Sequence, residues 1–165
     1  MAEKNKVLMI DDEPGVCVLV KRILEETGYY EVVTSSNPLE MENLCQKENP
    51  RLIILDNVMP QRNGSEIVKA LKKDHRTKHI PIIMFSGKGE MVYHEKKDQF
   101  QWLPNNPMAA RNRPVIAGGN DPAELARVYG VDEYIAKPFT PAIFLEIIQD
   151  VLDRTATKPS EESEI

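Results

Sequence analysis

The 165 residues are about the length of one compact domain, and a hydrophobic share of 41% is enough for a sizeable core. A formal net charge of -5 argues against a nucleic-acid surface, because duplex binding needs clustered cations. No apolar run approaches the roughly 18 residues that a bilayer span requires, and the start MAEKNKVLMIDDEP meets carboxylates too early for a signal peptide, so a cytoplasmic protein with no membrane partner is expected.

In chain order, residues 6–10 (KVLMI) are a short apolar run ending in acids and read as a strand. Residues 14–26 carry Val16, Leu19, Val20, Ile23 and Leu24 at the spacing of a helix face, with Pro14 suited to the first turn and Gly28 to the stop. A second strand over about 30–34 precedes a helix over about 38–48. Asn49-Pro50 then punctuates the chain before residues 51–55 (RLIIL), a run typical of a strand buried on both faces. A loop with Pro60 and Gly64 leads into a helix over about 65–74, and IPIIMFS at 80–86 is the fourth strand. A clear helix returns at Asp121-Pro122, an N-cap followed by a first-turn proline, and closes at Gly130. The fifth strand is about 133–136 and the last helix 141–152. Cys17 and Cys45 both fall in helical patterns without a CxxC partner or a histidine at ligand spacing, so they read as core thiols.

Five strands alternating with five helices imply an α/β fold, a doubly wound parallel sheet covered on both faces. In such sheets reactive groups gather beyond the carboxyl ends of the strands. The polar residues ending strands one, three, four and five are Asp11-Asp12, Asp56, Ser86 and Lys137. Alone, Asp-Asp-Glu after a strand reads as an N-cap cluster, Ser86 as a turn residue and Lys137 as a surface charge. Together they describe an acidic cleft that needs a cation, and oxygen-only ligands favour Mg2+. A carboxylate there can accept a phosphoryl group as an acyl phosphate, with Ser86 donating a hydrogen bond to it and Lys137 pairing with its charge.

The segments VLMIDDEP, LIILDNVMPQRNG, IPIIMFSG and DEYIAKPF resemble the receiver domain of bacterial response regulators, as do the spacings of 44 residues from Asp12 to Asp56 and 30 from Asp56 to Ser86. The resemblance spans about 5–87 and 120–153, and makes 1–153 a single receiver domain of (βα)5 flavodoxin-like fold with strand order 2-1-3-4-5. It implies that Asp12 and Asp56 bind Mg2+ directly, Asp11 through water, and the Val58 carbonyl as a further ligand. It makes Asp56 the acceptor of a phosphoryl group from a sensor histidine kinase or a histidine phosphotransfer protein. Ser86 and Tyr134 become the switch pair that remodels the face of helix four, strand five and helix five, a face through which two copies can pair. It also implies a cis Lys137-Pro138 bond.

The chain departs from that pattern between Ser86 and Lys137, which are 51 residues apart, far more than receivers usually have. The excess, about 88–120, holds Phe100 and the only tryptophan, Trp102, and is expected to form a short polar helix over about 89–101 followed by loop. Phe100 and Trp102 are candidate anchors for a protein partner. Glu90, His94 and Asp98 at four-residue spacing read as a solvated helix face, and Ser86-Gly87-Lys88-Gly89 lacks the spacing of a nucleotide loop. Residues 154–165 read as a disordered charged tail. The expected function is signalling rather than turnover. The rivals are an aspartyl-phosphate hydrolase, which would want an acid where Val58 stands, and a silent receiver-shaped binding module.

Overall fold

Parallel strands cannot be joined by tight turns, so a helix lies between each strand of the parallel sheet and the next. The computed structural model describes residues 3–86, 90–94, 99–103, 122–137 and 139–157. It runs β1 (Asn5–Ile10), α1 (Pro14–Glu25), β2 (Tyr30–Ser35), a 3-10 turn (Pro38–Glu40), α2 (Met41–Glu48), β3 (Leu52–Asp56), α3 (Gly64–Lys73), β4 (Ile82–Ser86), β5 (Glu90–His94), β6 (Gln99–Leu103), α4 (Pro122–Tyr129), β7 (Glu133–Ala136) and α5 (Pro141–Ala156). Five strands form one parallel sheet in the order β2-β1-β3-β4-β7. The predicted fifth strand is thus β7, and the order 2-1-3-4-5 holds.

Side chains alternate across a strand, and the two cores follow that period. Val7, Met9, Leu52 and Ile54 face α1 and α5. Leu8, Ile10, Ile53 and Leu55 face the opposite layer, with Met41 of α2, Ile67 and Leu71 of α3 and Ala126 of α4. The punctuation works as its chemistry demands. Pro14 and Pro141 stand in first turns, and Asn63 with Glu66 forms a full capping box on α3. Gly28, φ 79°, follows α1 where an L side chain would be strained.

The expected helix over 89–101 is corrected. Glu90–His94 and Gln99–Leu103 are antiparallel strands pairing Met91 with Trp102 and Tyr93 with Phe100. Apolar residues at 91, 93, 100 and 102 follow the two-residue period of a strand, which overrode the four-residue spacing of Glu90 and His94. Asp98, Gly87 to Gly89, the Asp121 cap, Pro138 and 158–165 lie outside the described residues. The last helix runs on to Ala156, so the first three residues assigned to the tail are helical.

Candidate functional site

β1 and β3 are neighbours in register, Ile10 beside Leu55, so the residues just past their ends meet at the carboxyl edge of the sheet. Asp11, Asp12 and Asp56 each offer a carboxylate oxygen there, all within 4.8 Å of one another. Asp11 and Asp56 are fully buried and Asp12 is half-buried. Three such charges repel strongly unless cations lie among them.

The protein supplies one cation itself. Lys137, one residue past β7, is 1% exposed and places its Nζ 2.7 Å from Asp11 Oδ2, 3.6 Å from Asp56 Oδ1 and 3.4 Å from Glu13 Oε1. Burial pulls the ammonium's pKa down, but the Asp11 and Asp56 carboxylates outweigh it and hold Lys137 above its ordinary value. Beneath it lies an aromatic floor: the Nζ is 5.9 Å from the Phe85 ring centroid, and Phe85 packs against Phe139 and Phe144 at 5.2 and 5.8 Å.

The donor set fits a hard divalent ion. It is all oxygen, and two Mg–O bonds of about 2.1 Å span about 4.2 Å end to end, so a group gathered within 4.8 Å needs only small side-chain adjustment. Val58, two residues past Asp56, lies in the adjoining loop with its side chain exposed. Ser86 is the last residue of β4 and pairs with Ala136, which directly precedes Lys137, so the backbone brings positions 86 and 137 to the same edge. Tyr134 is buried on the α4 side of the sheet, stacked on Tyr129 with ring centroids 5.6 Å apart. Phe100 and Trp102 fall on β6, outside the acidic cluster.

Three contributors were not singled out by the sequence reading. Glu13 occupies the N-cap position of α1 but makes no capping bond; its carboxylate points to Lys137 and its amide donates to Asp11 Oδ1 at 2.9 Å. Gly64 lets α3 start against the end of β3: a Cβ there would stand 2.5 Å from the Asp56 carbonyl oxygen and 2.9 Å from Asn57 Cα. Cys17 lies behind Asp11 with its Sγ 3.5 Å from the Asp11 carbonyl oxygen, and burial pushes its thiol up to about 12. A glycine eight residues past a strand-ending acid is the one signal in the sequence for this contact, and loop punctuation produces the same pattern.

Known proteins resemble this chain along most of its length. The model of the response regulator receiver domain matches residues 7–100. The response regulator Rre1 of Synechocystis is 29% identical over 156 residues, covering 84% of this chain and 68% of that protein. The chemotaxis protein CheY1 of Helicobacter pylori is 29% identical over 148 residues, covering 89% of this chain and 96% of its own length. At the other extreme the chain spans only 9% of a histidine kinase of Formosa agariphila. The solved structure of the chemotaxis protein CheY4 of Vibrio cholerae superposes with a TM-score of 0.64 at 26% identity, over 90% of this chain and 99% of that one. The family match stops at Phe100, short of Lys137, but the sheet order returns β7 to the edge of β4 and delivers the lysine to the acids. By its matched length, its five-stranded parallel sheet and the acids at the strand ends, the chain belongs to the family of response regulator receiver domains.

Proposed function

We propose that this receiver takes a phosphoryl group from a phosphohistidine on a sensor kinase or phosphotransfer protein onto Asp56, and signals by protein contact. The observation that carries the reading is the buried Asp56 carboxylate, gathered with Asp11 and Asp12 and 3.6 Å from the Lys137 ammonium. An Asp56 oxygen attacks phosphorus, the phosphorus–nitrogen bond breaks, and the imidazole leaves with the electron pair while Asp56 becomes an acyl phosphate. Mg2+, when bound, neutralises charge on the transferring oxygens. Asp12 and Asp56 would hold it directly, Asp11 through water, and the Val58 carbonyl would complete the protein ligands. Lys137, already charged and preplaced, pairs with the incoming phosphoryl oxygens, and the Ser86 hydroxyl donates to them.

The output follows from the attachment of those two residues. Ser86 ends β4 and Lys137 directly follows β7, the adjacent strand, so a shift toward the phosphoryl group acts on the Tyr134 layer and the α4–β7–α5 face. That face would meet the downstream protein or a second copy. The chemistry stops at one transfer and its reversal by water, which is signalling rather than turnover. The test is intact mass after incubation with Mg2+ and acetyl phosphate. A gain of one phosphoryl group that vanishes in Asp56→Ala supports the assignment; a gain that persists in that variant overturns it.

A further inference from the structure

A backbone carbonyl has no side chain of its own to aim it, so its direction depends on how the surrounding loop is held. Val58, whose carbonyl completes the ligand set proposed above, lies in the loop of residues 57–63 between β3 and α3. The base of that loop is closed by two backbone bonds. The Asn57 amide donates to the Phe85 carbonyl at 2.9 Å, and the Gly64 amide donates to the Asn57 carbonyl at 2.8 Å. Halfway along, Met59 is buried in the core layer that also holds Met41 of α2.

The far side of the loop is strained. Gln61 has φ 69°, in the left-handed region that L side chains rarely adopt, and the Arg62 amide donates back to the Pro60 carbonyl at 2.8 Å. A three-residue turn of this hand is the rare, strained form of the γ-turn. Such a conformation persists only where its surroundings over-determine it.

Arg62 supplies that restraint. Its guanidinium forks onto Glu42 in the first turn of α2, with Nη1 2.8 Å from Oε2 and Nη2 2.6 Å from Oε1. Most surface ion pairs contribute little, but this one is bidentate, with side chains only 22% and 35% exposed. Each partner favours the other's charge: the bond to Arg62 holds the Glu42 carboxyl below its ordinary pKa, and the bond to Glu42 raises that of Arg62. Met41 and Glu42 are adjacent, so one turn of α2 offers the loop both an apolar and a charged anchor.

We propose that Arg62 is a positioning residue for the metal site: its fork on Glu42 fixes the strained loop that carries Val58 and so sets the affinity for Mg2+. The inference rests on the receiver reading, which makes the Val58 carbonyl a ligand. Arg62 acts through the backbone and does not itself touch the ion.

Charge and position predict opposite signs for one of two variants, which separates them. By charge alone, Arg62→Gln removes a cation and binds Mg2+ more tightly, whereas Glu42→Gln removes an anion and binds it less tightly. Positioning predicts that both lose affinity to the same extent, about tenfold, as for other groups that orient metal ligands. The double variant then loses no more than either single one. Arg62→Lys keeps the charge without the fork, and is expected to lose most of the same affinity. Calorimetric titration of the full chain with Mg2+ gives these values, and urea unfolding without the ion shows that each variant is folded. Should Arg62→Gln fail to fold, Arg62→Lys and Glu42→Gln decide the matter. Wild-type or tighter binding by a folded Arg62 variant overturns the positioning role alone, as do additive losses in the double variant. A wild type that binds no Mg2+ overturns the metal assignment of the receiver reading and this inference with it.

Discussion

Lys137 Nζ stands 2.7 Å from Asp11 Oδ2, with the two side chains 1% and 0% exposed. A buried ion pair contributes little over an apolar pair of the same shape, but breaking one by removing a partner strands the other charge. Here the stranding is double, because Asp56 loses its ammonium neighbour at the same stroke. Lys137→Met is therefore expected to destabilise the metal-free protein by about 3–5 kcal/mol in urea unfolding. Mg2+ should recover part of that loss if it places a cation among the same carboxylates. A loss under about 1 kcal/mol would mean that the acids are solvated in the variant.

The same pair sets an alkaline limit. Lys137 has its folded pKa raised above the ordinary 10.5, because the Asp11 and Asp56 carboxylates outweigh the cost of burial. A group raised on folding stabilises fully below its unfolded pKa, and that contribution is lost as pH climbs through the folded value. The wild type should hold its stability up to about pH 10.5 and lose it above, while Lys137→Met lacks this step. Thermal melts across that range, buffered without Mg2+, are the measurement.

Most of this site was legible because strand ends in a parallel sheet are predictable places. Asp11, Asp12, Asp56, Ser86 and Lys137 each follow an apolar run whose length and composition announce a buried strand. What escaped is geometry that pattern does not encode. Glu13 looked like a helix cap, and only the third dimension turns it toward Lys137, 124 residues away. The hairpin escaped for a different reason. Its strands are five residues each, and the acid and histidine spaced four apart within 90–94 imitate a helix face as readily as the apolar residues mark a strand.

Metal binding should appear as stability. A ligand at 100 times its dissociation constant stabilises the folded state by about 2.7 kcal/mol, which for a domain of this size raises Tm by about 5–10 °C. Mg2+ should produce such a rise in the wild type, and a much smaller one in Asp12→Ala, where a half-buried ligand is lost without a cavity in either core. Differential scanning calorimetry with and without the ion distinguishes the two. Equal rises in both proteins would remove Asp12 from the ligand set.

Cys17 offers a chemical probe of the site's integrity. Its thiol is 6% exposed, lies against the Asp11 carbonyl and is pushed up to about 12 by burial, so the thiolate is scarce at neutral pH. Alkylation by iodoacetamide should proceed only through opening of the fold. Its rate in peptide-mapped digests is expected to fall when Mg2+ is added, by the factor that the added stability puts on the opening equilibrium, about tenfold for each 1.4 kcal/mol. Fast labelling that ignores Mg2+ would mean that the thiol is reached without unfolding.

Gly64 joins stability to chemistry in one substitution. A Cβ at this position meets the Asp56 carbonyl oxygen at 2.5 Å and Asn57 Cα at 2.9 Å, and both are backbone atoms with no rotamer to yield. The Gly64 amide also donates to the Asn57 carbonyl at 2.8 Å, so pushing α3 away breaks the bond that closes the loop. Gly64→Ala usually gains stability in a helix, since alanine is the better former by about 1 kcal/mol. Here the clash reverses the sign, with an expected loss of about 1–3 kcal/mol for overpacking. Because the displaced atoms belong to Asp56 and its neighbour, the variant should also bind Mg2+ more weakly, measured by calorimetric titration. A variant that is more stable and binds Mg2+ normally would show that α3 can start a turn later without cost.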